Sequence, residues 1–160
     1  MLIMRNNRTA STRRTVKPRP LMPLSAVMWR LDCRENEVKA MIEEGLLLFA
    51  FDIRAPKALK PEPRVLTESV ENYLAGKTAY AAEDETEWHR VAGLIFPDKP
   101  TISTLELQRV LNCGRQHAIN LFYARQFRHA RQARPRRGPG GSPQIETASA
   151  VDWLWERRMI

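Results

Sequence analysis

The chain has 160 residues, enough for one ordinary domain or two small ones, and a composition that is 43% apolar and 28% charged marks it as globular rather than disordered. Its net charge of +8, from 26 basic and 18 acidic residues, fits either a solvated basic surface or a polyanionic partner, with nucleic acid the first candidate. No apolar run approaches the roughly 20 residues that span a bilayer, the start MLIMRNNRTASTRRT is too weakly apolar for a secretory leader, and two distant cysteines (Cys33, Cys113) with three scattered histidines (His89, His117, His129) give neither a disulfide framework nor metal-ligand spacing.

Residues 1–19 read as a basic flexible arm. Arg5, Arg8, Arg13, Arg14, Lys17 and Arg19 come with no acid and no apolar periodicity, so the segment has little to bury. It is either a solubilising tail or an arm that lies along phosphates or enters a minor groove, with Arg13 and Arg14 as candidate contacts. Residues 24–31 then predict a helix with Val27, Met28 and Leu31 on one stripe. A short Asp32-Cys33 turn follows, and then a helix over 34–44 with Val38, Met41 and Ile42 inward. Gly45 suits the helix stop because it takes left-handed backbone at low cost.

Residues 46–54 alternate, with Phe49, Phe51 and Ile53 on one side and Ala50, Asp52 and Arg54 on the other, which predicts a strand. Residues 55–63, with three prolines, Lys57 and Lys60, read as a loop, and 64–66 as a returning strand. Thr67 is the expected N-cap of a helix over 68–74 that ends at Gly76. Residues 77–100 form a linker. With its acidic run, Glu83, Asp84, Glu85 and Glu87, it is either a structural bridge or a patch that competes with DNA for basic surfaces. Trp88, Val91, Ala92 and Ile95 predict a short bridging helix over 85–95.

From Thr101 the pattern recurs. Helices are expected over 104–111 and 115–125, a first wing strand over 127–133, a Gly/Pro-rich turn over 135–143, and a returning strand over 144–146. Thr147 is the expected cap of a last helix over 148–159. The spacing of Ala118, Phe122, Ala130 and Ala133 also fits a longer helix in place of that first strand. A shift of 80 residues lays Val27, Leu31, Cys33, Val38, Met41, Ile42 and Leu47 on Leu107, Leu111, Cys113, Ala118, Leu121, Phe122 and Phe127. The same shift lays Val65, Thr67, Ser69, Tyr73 and Leu74 on Ile145, Thr147, Ser149, Trp153 and Leu154. One offset held this far predicts two copies of one unit, 20–76 and 101–160.

Helix, turn, helix, two-stranded hairpin, helix is the order of a winged helix-turn-helix. The expected fold class is therefore mainly α with small β-hairpin wings, as two tandem winged helix-turn-helix units. In such a unit the second helix can enter a major groove about 12 Å wide while the hairpin reaches the neighbouring backbone or minor groove. The stretches RLDCRENEVKAMIEEGLLLFAFDIR and RVLTESVENYL resemble the excisionase subgroup of MerR-like winged helices. Two positions depart from that pattern: Arg34 and Gly114 stand where a Ser usually opens the second helix, and Leu48 where a Pro usually follows it. The resemblance implies a DNA-binding protein without enzymatic activity, either an excisionase-like recombination directionality factor or a small transcriptional regulator of a mobile element. A MerR-type activator would continue into a long dimerisation helix and an effector domain; here a second unit follows, so inducer sensing is not expected.

The second helices of the two copies differ. In the first, Glu35, Asn36, Glu37, Glu43 and Glu44 face outward with Arg34 and Lys39, and carboxylates are repelled by phosphate. In the second, Arg115, Gln116, His117 and Asn120 face outward with no acid. Arg can pair with guanine, and Gln or Asn with adenine, each by two hydrogen bonds worth about 1–3 kcal/mol of discrimination. Between Leu107 and Ile145 eight arginines (109, 115, 125, 128, 131, 134, 136 and 137) meet no acidic residue.

The second copy is thus the expected reader, through Arg115, Gln116, His117 and Asn120, with Arg125, Arg128 and Arg131 beside them. Its wing, with Arg134, Arg136 and Arg137 next to Gly138, Gly140 and Gly141, suits a narrow minor groove or phosphates. Arg34, Asn36 and Lys39 are contacts of a weaker reader, unless the first copy is an adaptor that docks on a recombinase or replication protein. Trp153 is expected to be buried under the wing. Trp155, Met159 and Ile160 are a candidate self-association surface, and Cys33 and Cys113 are expected as small buried residues at equivalent turns. Paired carboxylates near a His, a nucleophile motif and a phosphate loop are all missing from the sequence, so no enzyme, cofactor or metal is expected. The expected partners are double-stranded DNA and, with it, a second copy of the chain or an integrase. The expected place is the cytoplasm at the nucleoid, away from membranes.

Overall fold

The computed structural model describes residues 18–77, 84–128 and 143–159. Over these the chain is mixed α/β, seven short helices with two small antiparallel sheets. Strand β1 (Leu21–Pro23) runs straight into α1 (Leu24–Leu31), with Pro23 as N-cap at the φ its ring enforces. Asp32 closes α1 in left-handed backbone, φ 50°, and its N–H returns to the Met28 and Trp29 carbonyls. Helix α2 (Glu35–Glu43) buries Val38 and Ile42, one turn apart. Strands β2 (Ala50–Asp52) and β3 (Pro63–Leu66) and helix α3 (Thr67–Leu74) complete the first copy.

Helix α4 (Glu85–Ile95) starts on Asp84, whose carboxylate accepts from the Glu87 N–H at 2.8 Å. The second copy holds β4 (Thr101–Ser103), α5 (Thr104–Leu111), α6 (Arg115–Tyr123), β5 (Gln144–Glu146) and α7 (Thr147–Trp155). Ser103 and Glu106 form a reciprocal capping box that opens α5.

The elements of the first copy other than β2 recur at the same offset of 80: β1 with β4, α1 with α5, α2 with α6, β3 with β5 and α3 with α7. Backbone marks recur with them. Asp32 and Asn112 are both left-handed, as are Gly45 and Arg125. The N–H groups of Thr67 and Thr147 donate to the carbonyls of Pro20 and Pro100. Those of Leu48 and Arg128 both donate to a serine hydroxyl, Ser69 and Ser149, at 2.8 Å.

Several expectations need correction. The strand foreseen over 46–54 shrinks to β2, because Phe49 takes left-handed backbone, φ 59°, and breaks the extended run. Ala50 is buried like Phe49, Phe51 and Ile53, since both faces of this sheet are covered. β1 and β4 are three-residue strands that the sequence pattern does not announce. Thr67 and Thr147 are first helical residues rather than caps; Leu66 and Glu146 hold the cap positions without a side-chain bond. Instead, the Thr67 hydroxyl donates to the Arg19 carbonyl at 2.6 Å, and Thr147 Oγ1 is buried with no partner among the described residues.

The last helix stops at Trp155, not Met159. Of the strand foreseen over 127–133, Phe127 and Arg128 are described and neither is a strand residue, although the Arg128 carbonyl accepts from the Glu146 N–H at 3.0 Å.

The three-stranded sheet, in order β1–β3–β2, lies between two cores. On one face Ala50 and Val65 join Val27, Val38, Ile42, Leu47 and Val70. On the other, Leu21, Phe49, Phe51, Ile53 and Leu66 join α4 and the second copy's Ile102, Leu107, Leu111, Ala118, Leu121, Ile145 and Leu154. Trp88 of α4 is the hinge of that second core, with ring centroids 5.7 Å from Phe51 and 5.2 Å from Trp155. Trp155 is therefore packed inside the molecule and Met159 lies against the first core, so neither forms an outward self-association surface. Trp153 is buried against Phe127, centroids 5.1 Å apart. No helix among the described residues is long and apolar enough to cross a membrane.

Candidate nucleic-acid interface

Helix α6 is set by its buried stripe, Ala118 and Leu121, packed into the shared core. That stripe leaves Arg115, Gln116, Asn120 and Tyr123 exposed on the opposite side. Gln116 Nε2 donates to Asn120 Oδ1 at 2.9 Å, so the two amides lie one turn apart on the same face. No carboxylate lies within ion-pair range of Arg115 or Arg125 among the described residues. The N-cap is Gly114, at φ −70° and ψ 159°, which offers no side-chain acceptor, and the first turn holds no acid. The N–H groups at that end are thus open to an external anion at the positive end of the helix dipole.

Helix α2 shows the opposite electrostatics at the equivalent place. Glu35 and Glu37 occupy its first turn, and Glu37 accepts from the Arg34 N–H at 2.6 Å. Lys39 is spent on Glu35, at 2.6 Å. Arg34, Asn36 and Lys39 are exposed, but Glu35, Glu37, Glu43 and Glu44 are exposed with them.

His117 departs from the outward face. It is half-buried, with Nε2 2.6 Å from the Ile53 carbonyl and Nδ1 3.3 Å from a Glu62 carboxylate oxygen. A carbonyl can only accept, so Nε2 carries the proton. The ring therefore grips the base of the β2–β3 hairpin rather than pointing to solvent. Arg125 is exposed just past α6, and exposed Arg128 pairs with Glu146 at 3.1 Å. Arg13, Arg14, Arg131, Arg134, Arg136, Arg137 and Gly140 lie outside the described residues.

One residue of this face and two on the adjoining loop are not expected as contacts from the sequence. Tyr123 is 73% exposed beside Asn120; its spacing from Asn120, three residues on, was the available signal. Lys57 and Lys60 are exposed on the loop whose base His117 holds, an arrangement that tertiary packing makes and no local pattern announces. Cys33 and Cys113, expected as small buried residues, are half-buried. Burial pushes the Cys113 thiol up to about 11, against the opposing pull of Arg64. Burial also raises the Cys33 thiol, with Glu37 and Asp32 adding to it. Comparisons of the chain with protein-family models, with curated proteins and with solved structures return no match.

Proposed function

We propose that this protein is a sequence-specific double-stranded DNA-binding protein made of two tandem winged helix-turn-helix units, acting without enzymatic chemistry. The observation that carries the reading is the outer face of α6. It combines Arg115, Gln116 and Asn120 with an uncapped, acid-free helix start, whereas the matching face of α2 is dominated by carboxylates. In a major groove Arg115 pairs with guanine, and the Gln116 and Asn120 amides exchange their mutual bond for adenine edges. Arg125 and Arg128 bind phosphate, and the arginines of 129–142 add charge for the backbone or a narrow minor groove. The resemblance to excisionases makes recombination directionality, or regulation within a mobile element at the nucleoid, the biological setting.

The test is a duplex selected by the protein from genomic fragments, titrated against random-sequence DNA at physiological salt. The wild-type chain should prefer the selected duplex by about 10³-fold or more. Arg115→Ala with Asn120→Ala should erase most of that preference; an unchanged preference would sink the reading.

A second reading, an adaptor role for the first copy, is favoured by one observation. Trp29 on α1 is 85% exposed, and the same copy carries the exposed carboxylates of α2. This role is compatible with DNA binding by the second copy. Trp29→Ala that weakens capture of an integrase without changing DNA affinity would support it.

A further inference from the structure

We propose that the β2–β3 hairpin loop of the first copy is a phosphate clamp for α6 of the second, so that the two copies present one composite DNA surface rather than two readers in series. The inference rests on the reading of α6 given above.

The loop is pinned to α6 at one residue: His117 Nε2 donates to the Ile53 carbonyl at one end of the loop, and Nδ1 lies 3.3 Å from a Glu62 carboxylate oxygen at the other. The base of the loop is closed from within. Asp52 Oδ1 accepts from the N–H groups of Arg54, at 3.1 Å, and Glu62, at 3.0 Å. The Ile53 N–H reaches the Glu62 carbonyl at 3.1 Å, and a turn from Ala58 N–H to the Ala55 carbonyl compacts the tip. Around the helix axis His117 stands about 60° from Asn120 and about 100° from Gln116. The loop thus leaves the molecule along the border of the face that carries the two amides.

Lys57 and Lys60 are exposed on this loop, and neither pairs with a carboxylate among the described residues. Four extended residues reach roughly 13 Å at most, which compares with a major groove about 12 Å wide. With α6 in the groove, the two ammonium groups fall within reach of the phosphates along its wall. The clamp occurs once. The residue of α2 equivalent to His117 is Glu37, and its carboxylate turns back onto the Arg34 N–H instead of holding a hairpin.

Fluorescence anisotropy of the full-length chain over a salt series tests this, with labelled selected and random-sequence duplexes as probes. Lys57→Ala with Lys60→Ala should weaken binding to both duplexes by a similar factor, roughly tenfold at low salt. It should also lower the slope of log affinity against log salt by about 2, because each lost phosphate contact removes about 0.9. The preference for the selected duplex should survive. Lys57→Glu with Lys60→Glu should weaken binding further in the same uniform way. Both positions are exposed, so matching far-UV spectra and Tm will certify the fold. Unchanged affinity and slope, together with loss of preference in Arg115→Ala with Asn120→Ala, would overturn the clamp and leave the α6 reading standing. Preference that survives the α6 double variant would remove the α6 reading, and the clamp with it.

Discussion

Arg125 sits in the backbone conformation that Gly45 holds 80 residues earlier: φ is 54° at the arginine and 74° at the glycine. Left-handed backbone costs a residue with a Cβ about 1–2 kcal/mol, and glycine nearly nothing. Arg125→Gly should therefore raise stability, by up to about 1 kcal/mol after the added freedom of the unfolded chain is counted. It should also remove one phosphate contact, seen as a salt slope smaller by about 0.9. Gly45→Ala should do the reverse for stability, costing about 1 kcal/mol in urea denaturation; a Cβ there meets only Leu48 at 4.0 Å, so strain in φ is the whole effect. If Arg125→Gly is markedly destabilising, the side chain holds structure instead of serving DNA. Gly114 poses the same conflict between stability and binding. Its backbone already suits an N-cap and a Cβ there meets open space. Gly114→Asp should add about 0.5–1 kcal/mol through capping and the helix dipole, a Tm rise of up to about 3 °C. DNA affinity should fall roughly tenfold as a carboxylate enters the phosphate-facing end. Unchanged affinity in that variant would remove the start of α6 from the interface.

Between elements, the contact of the two copies adds to its shared apolar core a polar seam around a buried arginine. Arg64 is 7% exposed, and its Nε donates to the carbonyls of Leu111, at 2.9 Å, and Asn112, at 3.2 Å. These are carbonyls at the end of α5 that the helix itself leaves unpaired, and a cation suits that end of the dipole. Asn112 in turn donates to the Leu21 carbonyl at 3.0 Å. Arg64→Met keeps the aliphatic stem but strips the donors, and should cost about 2–4 kcal/mol, read as a lower urea midpoint. A loss below about 0.5 kcal/mol would mean that water replaces the guanidinium freely.

This seam also shows where sequence reading stops. Helical periodicity and the offset of 80 located α1 to α7 within a few residues, because each helix buries one stripe of its own. Alternation failed around β2, since a sheet covered on both faces loses its polar side, and the left-handed backbone of Phe49 has no local signature. The outward place of His117 on the helix suggests a groove contact. Its partner, the Ile53 carbonyl, lies 64 residues earlier in the chain, so only the packing of the copies reveals it.

Across the molecule, the first copy closes one core of its own, but the other face of its sheet depends on the second copy. Phe49, Phe51 and Ile53 are fully buried, yet their cover comes from α4 and the second copy. The chain end returns the favour: the Asp52 N–H donates to the Arg157 carbonyl at 2.9 Å, the Met159 N–H donates to the Ala50 carbonyl at 2.8 Å, and Arg158 bridges to Phe51. The tail thereby covers the edge of β2, which would otherwise be open to another strand. Exposing three large apolar side chains costs about 5–9 kcal/mol, comparable to the roughly 5–15 kcal/mol that holds a typical domain folded. Neither copy can then unfold while the other stays intact. Denaturation in urea should follow one transition, with tryptophan emission, which samples the Trp88–Trp155 stack, and far-UV circular dichroism giving the same midpoint. A chain ending at Glu156 should keep one transition at a midpoint lowered by about 2–4 kcal/mol of stability, and it should associate through the bared β2 edge. Two separated transitions in the full chain would show that the copies stand alone, and the composite DNA surface would then lose the rigid frame that holds its loop beside α6.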